Sequence, residues 1–319
     1  MEIAILAAPM GRSSTTGRMM RIGTFAITAL VGVLFLTLQT IVAQAEDKRY
    51  PEAKRIVTIG GSLTEIVYAL GGENRLAGRD STSVWPEASQ SLPDVGYMRA
   101  LSPEGVLSIK PDLIVALEGS GPPEAVAVLK SAGVPFVEVP ESFDTDGIVT
   151  KIGRVGIALG MEDKAKALEE KVRADLVAAQ EAAKVRDTGR KVLFILSMQG
   201  GRILASGYGT AADGIIAMAG AHNAVTEFPG YKQLNDEAVI NAAPDLILMM
   251  DRGGDHSIAA DQLFTHPAVA LTPAAKSRRL VRMDGAFLLG FGPRTAEAIR
   301  ALAGEIGGAG SATPISATQ

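Results

Sequence analysis

The chain has 319 residues, 47% of them hydrophobic and 21% charged, which is enough for one large or two medium folded domains and argues against a disordered chain. Its 31 Lys and Arg against 35 Asp and Glu leave a formal charge of −4, without the basic excess that nucleic-acid binding demands. Cysteine is absent, which excludes disulfides, thiolate metal sites, cysteine nucleophiles and a lipid anchor through an N-terminal cysteine; with five tyrosines and one tryptophan, any aromatic ligand-binding residue comes from a short set.

At the N-terminus, Arg12, Arg18 and Arg21 precede an uncharged run from Ile22 to Ala45 that closes on Ala43-Gln44-Ala45, directly before Glu46-Asp47. A positive flank, an apolar middle and a small-x-small end predict a signal peptide over residues 1–45, cleaved after Ala45. An uncleaved membrane anchor is the other reading of a run this long. Loss of residues 1–45 removes three arginines and one glutamate, leaving 28 basic and 34 acidic residues and a charge of −6 over the remaining 274. The expected product is an acidic, exported protein.

Residues 46–145 read as a first α/β lobe. Arg55–Ile59 is a β-branched run ending at Gly60-Gly61, followed by a helix over Thr64–Leu70 that stops at Gly71-Gly72. Lys110–Leu117 and Val134–Val139 are two further buried-strand candidates with a helix over Pro123–Ala132 between them. Strands alternating with helices predict a parallel sheet. Residues 146–188 form a connecting helical segment, in which Ala165, Leu168, Val172, Leu176 and Ala179 recur at steps of three or four. Gly160 is expected to break it into a shorter helix and a longer one. A rigid connector of this kind holds two lobes at a nearly fixed distance and permits only small closure. Residues 189–303 repeat the plan of the first lobe, with a strand at Lys191–Leu196, a glycine-bearing stretch and a helix near Thr210–Gly220. Gly304–Gln319, rich in Gly, Ser, Ala and Thr, reads as a frayed tail.

The clearest internal match pairs Gly96-Tyr97-Met98-Arg99-Ala100-Leu101-Ser102-Pro103-Glu104 with Gly230-Tyr231-Lys232-Gln233-Leu234-Asn235-Asp236-Glu237, one residue shorter. It continues seven residues beyond each Glu, where Pro111-Asp112-Leu113-Ile114 matches Pro244-Asp245-Leu246-Ile247. A period of about 133 residues is far longer than a solenoid unit and means two related lobes. The predicted fold class is therefore α/β, with two related Rossmann-like lobes joined by a single long backbone helix.

An export signal, two related lobes, one connecting helix and the repeated Pro-Asp-Leu-Ile strand openings together resemble the periplasmic substrate-binding proteins of ABC importers for iron chelates, cobalamin and haem, over about residues 54–303. Within that group, Leu92-Pro93-Asp94-Val95-Gly96-Tyr97-Met98-Arg99-Ala100-Leu101 resembles the haem-binding branch, whose members carry Gly-Tyr-x-Arg-x-Leu at this place. The resemblance implies that haem is the transported ligand and that Tyr97 is the axial ligand of its ferric iron, with Arg99 as electrostatic partner. The chemistry is apt. A phenolate is a hard anionic oxygen donor suited to ferric porphyrin, and a guanidinium close to the phenolic oxygen would favour the anion over a phenol that otherwise ionises near 10. The alternative for Tyr97 is a turn residue packed on the lobe surface.

Of the remaining tyrosines, Tyr231 is the repeat mate of Tyr97 but has Gln233 where Tyr97 has Arg99, and with Tyr208 it is expected to line the cleft, while Tyr50 and Tyr68 read as linker and helix positions. Met198 could approach the other haem face, although a thioether suits a phenolate-ligated ferric iron poorly and packing is the competing role. His222, His256 and His266 sit in unlike contexts and read as surface or capping residues. Arg79, Arg202 and Arg252 are candidates for the haem propionates. Glu104 and Glu237 each fall at the start of a predicted helix, where capping alone would place an acid. The family resemblance implies instead that they dock on arginines of an inner-membrane permease, which works with its ATPase downstream of an outer-membrane haem uptake system.

No Gly-x-Ser-x-Gly elbow, Walker loop or His-Glu-x-x-His pattern supports an enzyme, and Gly60-Gly61-Ser62 lacks dinucleotide-loop spacing. Two alternatives stay open: a carrier of the same kind for a ferric siderophore or cobalamin, and an exported structural or adhesion module.

Overall fold

The computed structural model describes residues 48–185, 189–251 and 258–308. The expected signal peptide, Arg252 and His256 lie outside these residues. Among the described residues no helix is long and apolar enough to cross a membrane.

The first lobe opens with strand β1 (Ile56–Ile59), every residue of which is buried. Gly60, at φ 117, turns the chain into helix α1 (Gly61–Ala69). Strand β2 (Leu76–Arg79), helix α2 (Pro103–Ser108), strand β3 (Leu113–Leu117), helix α3 (Pro123–Ser131) and strand β4 (Phe136–Val139) follow. The strands form a wholly parallel sheet in the order β2-β1-β3-β4. The wholly buried runs of β1 and β3, apolar but for Thr58, are what central strands covered on both faces require. The strand β2 escapes sequence reading because it is four residues long and contains Ala77 and Gly78, neither a strand former.

The connector is helix α4 (Thr145–Leu159) and helix α5 (Glu162–Lys184), separated by Gly160 in the left-handed conformation, as expected. The two run antiparallel: Gly156 lies against Ala165, Arg173 pairs with Asp146 at 2.8 Å, and Gln180 donates to Thr145 at 2.8 Å. Helix α5 touches both halves. Near its start Lys164 donates to the Leu70 carbonyl at 3.1 Å, and near its end the Ala183 carbonyl faces Gly220. Its 23 residues make a rod of about 34 Å.

The second lobe contains strand β5 (Lys191–Gln199), strand β6 (Arg202–Ser206), helix α6 (Ala211–Met218), strand β7 (His222–Asn223), strand β8 (Tyr231–Leu234), helix α7 (Asp236–Ala242) and strand β9 (Leu246–Asp251). Helix α8 (Ala260–Phe264), helix α9 (Pro273–Lys276), strand β10 (Leu280–Asp284), helix α10 (Gly285–Leu289) and helix α11 (Thr295–Gly307) complete it. Its sheet runs β10-β9-β5-β6-β8, with β7 beside β5. It is mixed, which corrects the expectation of a simple repeat of the first plan: β6 is antiparallel to both β5 and β8. The cause is local. Gly200 and Gly201 both take positive φ, 57 and 75, and close a two-residue hairpin of the kind that only such residues allow.

The internal match survives in three dimensions. Lys110 and Ala243, each just before Pro-Asp, share a positive φ of 53 and 43. Asp112 then accepts from the backbone amides of Lys54 and Arg55 at 2.8 and 2.9 Å, and Asp245 from that of Lys191 at 2.9 Å. In both lobes the aspartate ties the start of one strand to the entrance of its neighbour.

A second correction concerns the tail: Gly304–Gly307 belongs to α11, not to a frayed end. Ile306 is buried against the core, and Arg190 and Arg279 both donate to its carbonyl, satisfying a helix terminus that would otherwise be open.

One core cluster includes Ile56, Val115, Leu176, Phe194 and Leu302, so the two halves share apolar packing. A polar junction lies beside it. The ammonium of Lys151, fully buried, contacts Glu141 at 2.6 Å and donates to the Phe291 carbonyl at 3.0 Å and the Ser62 hydroxyl at 3.3 Å. Arg294 pairs with Glu65 at 2.6 Å and stacks over Trp85 at 4.4 Å. The Phe143 and Phe291 rings meet edge to face at 5.2 Å.

Candidate functional site

Tyr97 and Arg99 lie on the loop that leads from the edge of the first sheet to α2. Residues 93–96 run beside β2: Arg79 donates to Pro93 O at 2.9 Å, Val95 to Arg79 O at 2.9 Å, and Ser81 to Gly96 O at 3.0 Å. Gly96 then turns at φ 100, open to glycine alone among residues without strain. Beyond Tyr97 the loop is held again, because Gly121 donates to Met98 O at 2.8 Å and Leu101 to Gly121 O at 2.8 Å. Met98 is buried beneath, while Tyr97 is 48% exposed. The sequence Gly-Tyr-Met-Arg therefore presents its tyrosine outward and anchors itself with its methionine.

The five tyrosines divide cleanly. Tyr50 and Tyr68 pack against the core, and Tyr97, Tyr208 and Tyr231 are exposed. Tyr231 sits on β8, edge to face with Phe194 at 6.3 Å. Burial of its phenol raises its pKa above 10.0, and Tyr97 adds to the rise; the Thr210 side chain, the positive charge of Arg99 and the Ala212 backbone pull it down. The charges that act on the Tyr231 phenol thus include groups of the first lobe, Arg99 and Tyr97, as well as its own. Tyr208 follows β6 on a loop zipped to residues 228–230: Tyr208 donates to Phe228 O at 2.9 Å and Gly230 to Tyr208 O at 3.0 Å. Gly207 is obligatory there, since a Cβ would strike the Phe228 carbonyl.

No hydrogen bond joins Arg99 to the Tyr97 hydroxyl. The Arg99 guanidinium stands 4.0 Å from where a Cβ on Gly119 would be, at the carboxyl end of β3. Its charge reaches Glu141, whose carboxyl is pushed above the ordinary range by burial and drawn back by Lys151 and, more weakly, Arg99. Burial likewise pushes Lys151 down. Glu141 and Lys151 were not legible as partners of the site.

Other expected residues fall elsewhere. Met198 packs against the second core cluster, that of Ile203, Val225 and Val239, whereas Phe194, whose ring meets Tyr231, belongs to the first cluster. Arg79 is committed to Asp94 at 2.9 Å and to Asp80 O at 3.1 Å with its side chain 11% exposed, so it is not available to a propionate. Arg202 is exposed at the start of β6. His266 contacts Gly201 O through Nε2 at 2.8 Å and accepts from Ala268 through Nδ1 at 3.3 Å, a local hairpin support. His222 opens β7 beside Lys191. No group of three or more His, Cys, Asp or Glu able to hold a metal exists among the described residues.

Glu104 and Glu237 occupy the second positions of α2 and α7 and are exposed. Capping is done by other side chains: Ser102 accepts from Gly105 at 3.4 Å and Asn235 from Ala238 at 2.8 Å. Neither glutamate makes an ion pair with a described residue.

Two α/β lobes on a shared core, with exposed tyrosines on loops and an edge strand of both, are consistent with a binding protein. The sequence pattern of the periplasmic binding protein family matches residues 56–286, and the chain belongs to that family. A substrate-binding lipoprotein of an ABC transporter, YvrC of Bacillus subtilis (strain 168), is 30% identical over 258 residues, 80% of each chain. Among solved structures, the periplasmic heme-binding protein BhuT in complex with two hemes is 41% identical, with a TM-score of 0.76 over 80% of this chain and 98% of that one. The periplasmic heme-binding protein RhuT from Roseiflexus sp. RS-1 is 36% identical, with a TM-score of 0.76 over 81% and 99%. The vitamin B12-binding protein of Yersinia pestis is 32% identical over 127 residues, 40% of this chain and 43% of its own length. The family is one of substrate-binding transport proteins and not of enzymes.

Proposed function

We propose that this protein captures ferric haem between its lobes and delivers it to an ABC importer in the inner membrane. The observation that carries the reading is the outward-facing Tyr97, clamped at the backbone on both sides, two residues before Arg99. Tyr97 is the axial iron ligand through its phenolate, Arg99 its electrostatic partner, and Tyr231 and Tyr208 line the porphyrin. Structures of 41% and 36% identical heme-binding proteins support haem over other cargo. Residues 1–45 direct export and are removed after Ala45, so that the mature chain works in the periplasm, supplied by an outer-membrane haem uptake system.

Glu104 and Glu237 are the docking carboxylates for arginines of the permease, which its ATPase drives. Their freedom from capping and from ion pairs supports this role, and equivalent places in two related lobes suit a two-fold permease. Titration of the purified mature protein with haemin, with a ferric siderophore and with cobalamin in parallel tests the cargo. Stoichiometric uptake with a high-spin ferric spectrum is expected for haemin alone. Binding of cobalamin in preference, the reading favoured by the partial match to the vitamin B12-binding protein, would replace it.

A further inference from the structure

The Tyr97 side chain is half exposed, so its position is set by the backbone that carries it. On the upstream side the main-chain hydrogen bond nearest to it runs from the Ser81 amide to the Gly96 carbonyl at 3.0 Å. Two aspartates fix the two ends of that bond. Asp80 is fully buried at the carboxyl end of β2, and its carboxylate accepts four hydrogen bonds. Oδ1 receives the Gly60 amide at 3.0 Å and the Ser83 hydroxyl at 2.8 Å; Oδ2 receives the Thr82 amide at 3.1 Å and the Thr82 hydroxyl at 2.7 Å. Thr82 Oγ1 also accepts the Gly61 amide at 3.0 Å, and Ser83 continues through Thr64 to Thr58, each step 2.7 Å. The Asp80 amide itself donates to Thr58 O at 3.1 Å. The Ser81 peptide is thereby bolted to the turn between β1 and α1. At the other end, Asp94 Oδ1 accepts from the Gly96 amide at 2.8 Å and Oδ2 pairs with Arg79 at 2.9 Å, holding the turn that aims Tyr97.

We propose that Asp80 and Asp94 are positioning residues for the iron ligand, acting on Tyr97 through the Ser81 to Gly96 bond without touching the haem. The inference rests on Tyr97 being that ligand. Outer groups that orient a metal ligand commonly change affinity by about 10- to 100-fold when removed. For Asp80→Asn, an amide NH2 replaces an acceptor of two donors, so the four bonds cannot all form. For Asp94→Ala, the bond to Gly96 goes, while Asp94→Asn keeps an acceptor for it.

The test uses the mature full-length chain loaded with haemin, read by affinity and by the phenolate-to-iron charge-transfer band. Thermal melting of the unloaded variants confirms that they fold. Asp94→Ala is expected to shift or weaken the band and lower affinity about 10-fold, with recovery in Asp94→Asn; Asp80→Asn, where folded, shows the larger change. An unaltered band and affinity in Asp94→Ala, where Tyr97→Phe abolishes the band, would overturn the positioning role alone. An unaltered spectrum in Tyr97→Phe overturns the ligand assignment, and the positioning role falls with it.

Discussion

Tyr97 and Tyr231 occupy matching places in the repeat, each after a glycine of positive φ, and the proposed function gives them different work. Tyr97 stands on a loop turned by Gly96; Tyr231 is on strand β8, its ring against Phe194. A phenol is already neutral at physiological pH and burial raises the Tyr231 value further, so in the proposed site it is a hydrogen-bond donor and not a second anionic ligand. Tyr231→Phe should keep the ferric-phenolate band and weaken haemin binding by about 1 kcal/mol, roughly fivefold, as loss of one neutral hydrogen bond does. A second residue-level consequence concerns Glu65, which burial pushes above the ordinary 4.5 despite Arg294. The folded protein holds that proton to higher pH than the unfolded chain, so its stabilising effect is complete below about 4.5 and fades as pH rises through the raised value. The Tm of the wild type should accordingly fall relative to that of Glu65→Gln as pH increases from 4.5. A constant difference between the two would contradict this.

At the scale of elements, α2 and α7 separate capping from docking. Asn235 carries the cap of α7, so Asn235→Ala should cost about 1 kcal/mol in denaturant unfolding, whereas Glu237→Lys, at an exposed site, should stay within roughly 0.5 kcal/mol. Charge reversal at Glu104 and Glu237 together should impair haem uptake by cells with haemin affinity unchanged; normal transport would return both residues to a helix-end role. Most elements were legible: the β-branched run of β1 and the apolar run of β3, the break at Gly160, and the repeated Pro-Asp that ties strand to strand. The hairpin of β5 and β6 was not, since Gly200-Gly201 within a longer glycine-bearing stretch gives no register by itself. Nor was the network of Asp80, although Asp80-Ser81-Thr82-Ser83 is a run of short polar side chains that bond readily to nearby backbone.

For the whole molecule, the lobes meet through contacts that no periodicity reveals, because Lys151 reaches Phe291 and Ser62, and Arg294 reaches Glu65, across long separations in sequence. Phe291 is held there at φ 47, a strained conformation for a bulky residue, with its carbonyl on the buried ammonium. Removing one partner of such a buried pair leaves the other uncompensated, and Lys151→Met should destabilise the protein by about 3–5 kcal/mol. A core shared by both lobes, the α5 rod and this junction together predict a nearly constant radius of gyration by solution scattering with and without haemin; a marked compaction would mean that the junction opens. Capture of haem in the proposed way requires iron bound to one phenolate oxygen. The most direct measurement is resonance Raman spectroscopy of the haemin-loaded mature protein with excitation in the charge-transfer band. Phenolate modes enhanced in the wild type and absent in Tyr97→Phe are predicted; their persistence in Tyr97→Phe, or their absence from the wild type, would contradict it.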